Sequence, residues 1–333
     1  MDAIAAGLSL AIGPLAAIYA INAIGLNVQF GYAGLLNFGQ VGFMLVGGYG
    51  LAISVAVFGV PFWIGVAIGL LAAVGLALLL GYPTLRLRAD YLAIATIAIA
   101  EILRLIVNTK SLVNFSGGSF GIPSAVTDNI GFSDTYYAIG ERFFALFGST
   151  LAGNFFRVGF LKIDGRGLWT MIVGWTLAAI FAFFVWLLMR SPWGRVIKAI
   201  REDEDAARAL GKNTFVFKMQ ALTLGGVLGG VAGMLFVLLP GTVSPNVFLP
   251  ILTFYTYAIV LAGGAATVTG PILGSVVFWF LFGAIDNALR NSSTFASVAG
   301  PMVLGLVGLG LMLVMIFRPQ GIVGNKQEMI LDV

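Results

Sequence analysis

The chain has 333 residues, of which 59% are hydrophobic and 10% charged, with a mean hydropathy of +1.02 and a formal charge of +4. Such a composition lies well beyond a soluble globular domain, and the long unbroken apolar runs exclude a β-barrel, whose strands alternate apolar and polar residues. With no cysteine and no histidine in the sequence, disulfides, zinc motifs and the usual general base are excluded too.

A hydrocarbon core of about 30 Å takes roughly 20 apolar residues per helical crossing. Apolar runs fall near 8–27, 37–57, 62–81, 91–109, 169–189, 215–239, 251–268, 271–288 and 298–317. They predict an all-α, polytopic helical membrane protein forming one transmembrane domain over residues 1–333. It would have nine transmembrane helices, or ten if the irregular 25–40 region hides a further short helix. The start, MDAIAAGLSLAIGPLAAIYAINAIG, lacks a basic n-region and runs too long for a signal h-region, so it reads as a first span. No internal repeat or low-complexity tract is evident.

Between residues 25 and 50, eight glycines surround Asn27, Gln29, Asn37 and Gln40. Glycine permits close helix contact and broken-helix backbone, and irregular backbone at membrane depth survives only inside protein or beside water. The four amides are therefore either interhelical glue or the lining of a translocation pathway. They do not mark a nucleotide site, because GYAGLLNFG lacks the Lys-Ser/Thr of a phosphate-binding loop. In the fourth run Glu101 and Arg104 lie three residues apart on one helical face, a spacing that predicts an intramembrane ion pair. Its role is either structural or toward the permeant.

Residues 110–168 form the largest break between runs. The segment is turn-rich, with SGGSFGIPS and GFSDTYY, and then amphipathic, with ERFFALFGSTLAGNFF. Short loops at 82–90 (Arg86, Arg88), 190–218 and the tail (Arg318, Lys326) hold 11 of the 18 basic residues. The positive-inside rule makes their face cytoplasmic and explains the net charge without nucleic acid. Parity then makes 110–168 an extracytoplasmic insert. The N-terminus is outside with nine spans and inside with ten.

The stretch GRVIKAIREDEDAARALGKN (194–213) is an island of nine charges between apolar segments. Ser191 can cap a helix with Pro192 at its first position. Val196, Ile197 and Ile200 then share one face, with Arg195, Lys198 and Arg201 around them. A loop that merely fixed topology would need the cations but neither an apolar stripe nor the acids Glu202 to Asp205. Further on, Ala262-Gly263-Gly264 and Gly270-Pro271 predict either a tight turn between spans or a discontinuous helix. Asp286 and Arg290 read as an interfacial pair.

Asp205-Ala206-Ala207 followed by Gly211 resembles the "EAA" loop by which permeases of ATP-binding-cassette (ABC) importers dock into their ATPase subunits, with Asp where Glu is usual. The longer string AIREDEDAARALGKN is similar to the form in branched-chain amino acid permeases of the M type (LivM-like). Four further blocks carry the resemblance across the chain: GLNVQFGYAGLLNFGQVGF (25–43), LRLRADYLAIATIAIAEILRL (85–105), AIVLAGGAATVTGPILG (258–274) and FRPQGIVG (317–324). In the 110–168 insert it thins to GGSFGIP.

The resemblance implies a multi-pass protein of the bacterial plasma (inner) membrane that is not itself an enzyme. Residues 190–214 would be its cytoplasmic coupling segment, working through Arg195, Val196, Ile197, Ile200, Glu204, Asp205, Ala206, Ala207 and Gly211. It implies no cofactor in this chain, since ATP and Mg would be bound by the partner ATPase. The implied partners are a second permease chain of the H type, two cytoplasmic ATPases, an extracytoplasmic solute-binding protein and the bilayer. The permeant would be a branched-chain or other hydrophobic amino acid, with urea, short amides or another small solute as the alternative. A secondary transporter or channel working without ATP would instead show an ionisable relay or inverted repeats.

Overall fold

A computed structural model describes residues 3–87, 89–123, 131–146, 156–158, 161–292, 299–317 and 320–324. Arg88, Arg318, Lys326 and the middle of the expected extracytoplasmic insert lie outside the described residues.

The first run becomes α1 (Ala3–Ile12) and α2 (Pro14–Leu26), which meet at a 49° bend. The bend has a local cause. Proline drives its predecessor out of the helical region, and Gly13 takes φ −62°, ψ 173°. α2 runs on through a π-helical turn, Asn27–Tyr32, before the chain breaks. Next come α3 (Gln40–Ala52, extended by a π-turn at Ile53–Val57), α4 (Phe62–Thr84), α5 (Ala89–Val107) and the short α6 (Val113–Ser116). The insert contributes α7 (Asp134–Ala145) and an antiparallel hairpin of β1 (Phe156–Val158) and β2 (Leu161–Ile163), paired Phe156 to Ile163. The remainder is α8 (Gly165–Arg190), α9 (Pro192–Glu202), α10 (Glu204–Ala209), α11 (Thr214–Leu238), α12 (Ile251–Gly263), α13 (Gly270–Arg290) and α14 (Ala299–Phe317).

Each of the nine apolar runs holds a helix, though the expected count of nine to ten crossings is not confirmed. Among the described residues, six helices are long and apolar enough to span a membrane, or eight if each bent pair is one crossing; α14 is a further apolar helix of 19 residues. Two of the apolar runs are broken. α1 with α2, and α5 with the 110–116 segment, are bent by 49° and 60°.

The core forms where α2 and α3 each pack on α11, with α12 and α13 closing one side. α2 is buried continuously from Ala16 to Leu26, as expected of a helix apolar all round. α4 and α8 instead bury one face through small residues such as Gly65, Gly69 and Ala73, or Gly174 and Ala178. Their other faces expose Leu71, Leu79, Ile180 and Phe183, an apolar surface suited to acyl chains. Glycine lets the central helices touch backbone to backbone. A Cβ at Gly225 would lie 2.4 Å from the Gly25 carbonyl oxygen, and one at Gly47 would lie 2.3 Å from that of Gly230.

The insert is tied to the end of the bundle opposite α9 and α10. Ile122 and Val243 exchange backbone hydrogen bonds of 2.8 and 3.0 Å. The Tyr137 hydroxyl donates to the Leu238 carbonyl at the end of α11 (2.5 Å).

Candidate functional site

α8 leaves the bundle at Arg190 and α9 starts at once with Pro192 in its first turn. Ser191 has the extended backbone of a cap residue, but its hydroxyl donates back to Leu188 O (2.7 Å) and caps nothing in α9. Gly194 permits the tight corner, since a Cβ there would lie 2.4 Å from Met189 O. Asp203 then ends α9 and opens α10, accepting the Ala206 N–H at 2.9 Å.

Ala207 and Gly211 now have a physical account. Ala207 is buried, at 5% exposed. Gly211 sits at φ +77°, a left-handed conformation that costs glycine nothing. Its N–H reaches Arg208 O (2.9 Å) and the Lys212 N–H reaches Ala207 O (3.2 Å). This paired closure is that of a Schellman C-terminus. Asn213 then caps α11 through the Val216 N–H (3.2 Å).

The apolar stripe faces the opposite way from the one expected of a partner-binding surface. Ile197 and Ile200 are 0% and 2% exposed, packed into the chain itself, and Val196 is half-buried. Amphipathicity shows that a face is buried but not against which protein, and here it seats α9 on the permease's own bundle. The outward surface is made by Arg195, Glu202, Asp203, Asp205, Ala206, Arg208 and Leu210. Leu210, at 81% exposed, is the large apolar side chain of that surface. Helical spacing does not single it out; its position beside the left-handed glycine was the available signal.

Charge fixes the segment from both sides. Glu204 pairs with Lys218 on α11 and with Arg208 one turn on (3.0 Å). Partial burial pushes the Glu204 carboxyl up, but hydrogen bonds and charge from Lys218, with Thr214 and Arg208, outweigh it and hold the group below the ordinary carboxylate range. On the bundle side Arg201 Nη1 donates to Gly31 O (2.7 Å), and the Lys198 ammonium lies 5.7 Å from the Tyr32 ring centre. Both cations thus sit at the C-terminal end of the first span's π-turn, where unpaired carbonyls favour positive charge. Arg201 was missed as a site residue because sequence spacing cannot reveal a contact across 170 positions.

The π-turn leads into the amides. Asn27 donates to Thr267 O (2.7 Å) and accepts from Ala266 N (2.9 Å), clamping the first span to the 264–269 loop. There Ala266 holds φ +60° and the tail adds Ile322 N to Ala262 O (2.9 Å). The connection between α12 and α13 is therefore a braced loop rather than a plain tight turn. Gln29 donates to Leu222 O (3.0 Å) and accepts from Asn37 (2.8 Å). Gln40 donates to Asn22 Oδ1 and Gly225 O, both at 3.1 Å, and Asn22 donates to Thr256 Oγ1 (2.8 Å). All five amides are at most 1% exposed. In this conformation they serve as glue and line no open route.

Gly225 lies near the middle of the 25-residue α11, so the Gln40 end of α3 sits near mid-membrane. Residues 33–39 are thus irregular backbone at depth, where unpaired groups are costly. Side chains supply the partners: Thr96 for Phe38 N (3.1 Å), Asn37 for Gly39 N (2.9 Å) and Thr253 for Val41 N (3.0 Å). Glu101 and Arg104 pair as their spacing predicts, with Nε to Oε2 at 2.9 Å and Nη2 to Oε1 at 2.5 Å. Asp286 and Arg290 pair likewise at 2.8 Å near the end of α13.

Residues 10–317 match the family described as "Branched-chain amino acid transport system / permease component". The chain belongs to this family. It is 34% identical over 312 residues to the high-affinity branched-chain amino acid transport system permease protein LivM of Escherichia coli K12, covering 93% of this chain and 69% of that one. The probable LivM of Methanocaldococcus jannaschii is 27% identical, covering 93% and 91%. An autoinducer 2 import system permease, LsrC of Photorhabdus laumondii, is 29% identical over 39% of this chain and 40% of its own. The protein is accordingly an ABC-transport permease of the plasma membrane and not an enzyme; ATP hydrolysis belongs to a separate subunit.

Proposed function

We propose that the chain carries branched-chain or other hydrophobic amino acids inward, as one of two permease chains that together form the pore. Its partner would be an H-type permease. Two cytoplasmic ATPases, binding ATP and Mg, would drive it, and an extracytoplasmic solute-binding protein would deliver the amino acid. The observation that carries this reading is the α9–α10 segment. It is rigidly seated on the bundle by Ile197, Ile200 and Arg201, yet turns Arg195, Asp205, Ala206, Arg208, Leu210 and Gly211 outward.

On this reading the ATPases grip the outward face, with Leu210 as apolar anchor. Their closure moves α9 and α10 as a unit, and Arg201 passes that motion to the first span. Alternating access follows from rigid helices, with no covalent chemistry in this chain. The names of the relatives favour amino acids over other solutes, and the partial match to LsrC makes solute identity the point to test. The experiment is ATP-driven uptake into proteoliposomes holding the complete complex and its binding protein, comparing leucine, isoleucine, valine and urea. Uptake of the three amino acids is expected. Uptake of urea with exclusion of all three would overturn the assignment.

A further inference from the structure

α5 has three distinct faces. Leu92, Thr96 and Ala100 are 4%, 0% and 4% exposed and pack inward, Ala100 against Gly42 of α3. Tyr91, Ile94, Ile102 and Leu105 are 51–67% exposed, an apolar surface that acyl chains can wet; Ala98 lies on it and is exposed too. The third face is the unusual one. At 3.6 residues per turn, the spacing i, i+3, i+7, i+11, i+14, i+18 aligns Asp90, Ala93, Ile97, Glu101, Arg104 and Asn108 on a single flank. Four of the six are polar or charged, one is alanine, and Ile97 alone is large and apolar. Ala93, Ile97, Glu101, Arg104 and Asn108 are all half-exposed.

Depth makes this flank informative. Thr96 accepts the N–H of Phe38, next to the Gln40 end of α3 that lies near mid-membrane. Glu101 is five residues beyond Thr96, about 7.5 Å along the axis, still inside a hydrocarbon half-thickness of about 15 Å. Its side chain is 35% exposed and that of Arg104 15% exposed. Charged groups at such depth face protein or water, not lipid. This chain leaves the pair half-open, and Arg104 uses Nε and Nη2 on Glu101, keeping part of its guanidinium for a further acceptor. Just past the helix, Asn108 Oδ1 is buried and has no hydrogen-bond partner among the described residues. Other charges on the described spans, Arg166 and Arg190 on α8, Lys218 on α11 and Asp286 and Arg290 on α13, lie near helix ends, and Arg104 itself is in the last turn of α5.

We propose that the Asp90–Asn108 flank of α5 lines the aqueous route through the transporter and looks across it to the second permease chain. Glu101 and Arg104 would then be the groups that meet the ammonium and carboxylate of the passing amino acid. Ile97, one turn before Glu101, offers its side chain an apolar contact. The inference rests on the paired-permease reading above and adds the wall of the route to it. A purely structural ion pair would be covered by its own bundle. A route wall explains why the pair is left partly exposed on the flank that also carries the exposed Asp90.

The chain has no cysteine, so single thiols report cleanly. Ala93→Cys and Ile97→Cys on the flank, and Ile94→Cys and Ala98→Cys on the lipid face, are to be made in the complete complex in proteoliposomes. Each face thus loses one alanine and one isoleucine, which matches the two sets in size. Each variant is treated with a small, membrane-impermeant cationic thiol reagent, with and without ATP. The flank thiols should react at least tenfold faster than the lipid-face thiols, with rates that change between nucleotide states, and modification at 97 should cut leucine uptake at least tenfold. Unreactive flank thiols in every nucleotide state, or equal rates on both faces, would overturn the proposal. Labelling is read without any permeant, so it stands apart from the substrate assignment. A complex that labels as expected but takes up only urea keeps the route and loses the amino acid.

Discussion

The protein uses polar residues in two contrasting ways. In the 192–211 segment charge is carried outward, with the Asp205 side chain 91% exposed. Around Gln40, five amides are at most 1% exposed and every one is bonded. The difference follows from what each group would otherwise face. A cytoplasmic Asp205 is solvated by water at no cost, whereas an amide near mid-membrane has only its neighbours, and each unmet group would cost about 1–3 kcal/mol. The charged segment is therefore free to be recognised, while the amide core is committed to holding α2, α3 and α11 together. Arg201 joins the two, with its stem beside Gly34 and its guanidinium on Gly31 O.

The sharpest way to break this contrast is Ile200→Asp. If the stripe seats α9 internally, a carboxylate at a 2% exposed position destabilises the permease itself by more than about 3 kcal/mol. Thermal unfolding in detergent reads this directly; an unchanged midpoint with lost ATPase binding would turn the stripe outward again. Gln40→Leu should cost about 1–3 kcal/mol, because Asn22 Oδ1 loses its donor in the core. A smaller loss, about 1.5 kcal/mol, is expected for Arg201→Ala. There the informative readout is coupling: ATP hydrolysis should persist while uptake per ATP falls severalfold, with partial rescue in Arg201→Lys.

The smallest effect is the acid sensitivity of α10. The folded Glu204 carboxyl titrates below its ordinary value of 4.5, so its tie to Lys218 is fully present above that pH. It is lost as pH falls through the folded value. The stability difference between wild type and Glu204→Gln should therefore narrow on acidification from about pH 6 toward 4, and a constant difference would show that the tie contributes nothing.

Parts of this were legible in the sequence for a definite reason. An apolar run of the right length reports a helix because hydrogen-bond demand in lipid allows little else, and all nine runs hold one. The i, i+3 spacing of Glu101 and Arg104 reports a pair because helix geometry alone brings them together. The π-turn at Asn27–Tyr32 and the irregular 33–39 stretch were not legible. Glycines and amides there follow no helical or strand period, and their partners Thr96, Leu222 and Thr253 are remote in sequence. The amphipathic pattern of α9 fixed which face is buried but carried no information on what covers it. That is why Ile197 and Ile200 were expected to meet a partner and Leu210 was overlooked.

Leu210→Asp tests most directly whether the outward face of α9 and α10 grips the ATPase while the inward face belongs to the permease. The measurement is stoichiometric co-purification of the ATPase, read beside the thermal midpoint of the permease. Leu210 is 81% exposed, so the midpoint should shift by no more than about 0.5 kcal/mol in stability. Burying a leucine at an interface is worth about 1.5–3 kcal/mol, so ATPase affinity should fall at least tenfold. Full ATPase association and full uptake in Leu210→Asp would contradict this division of the two faces.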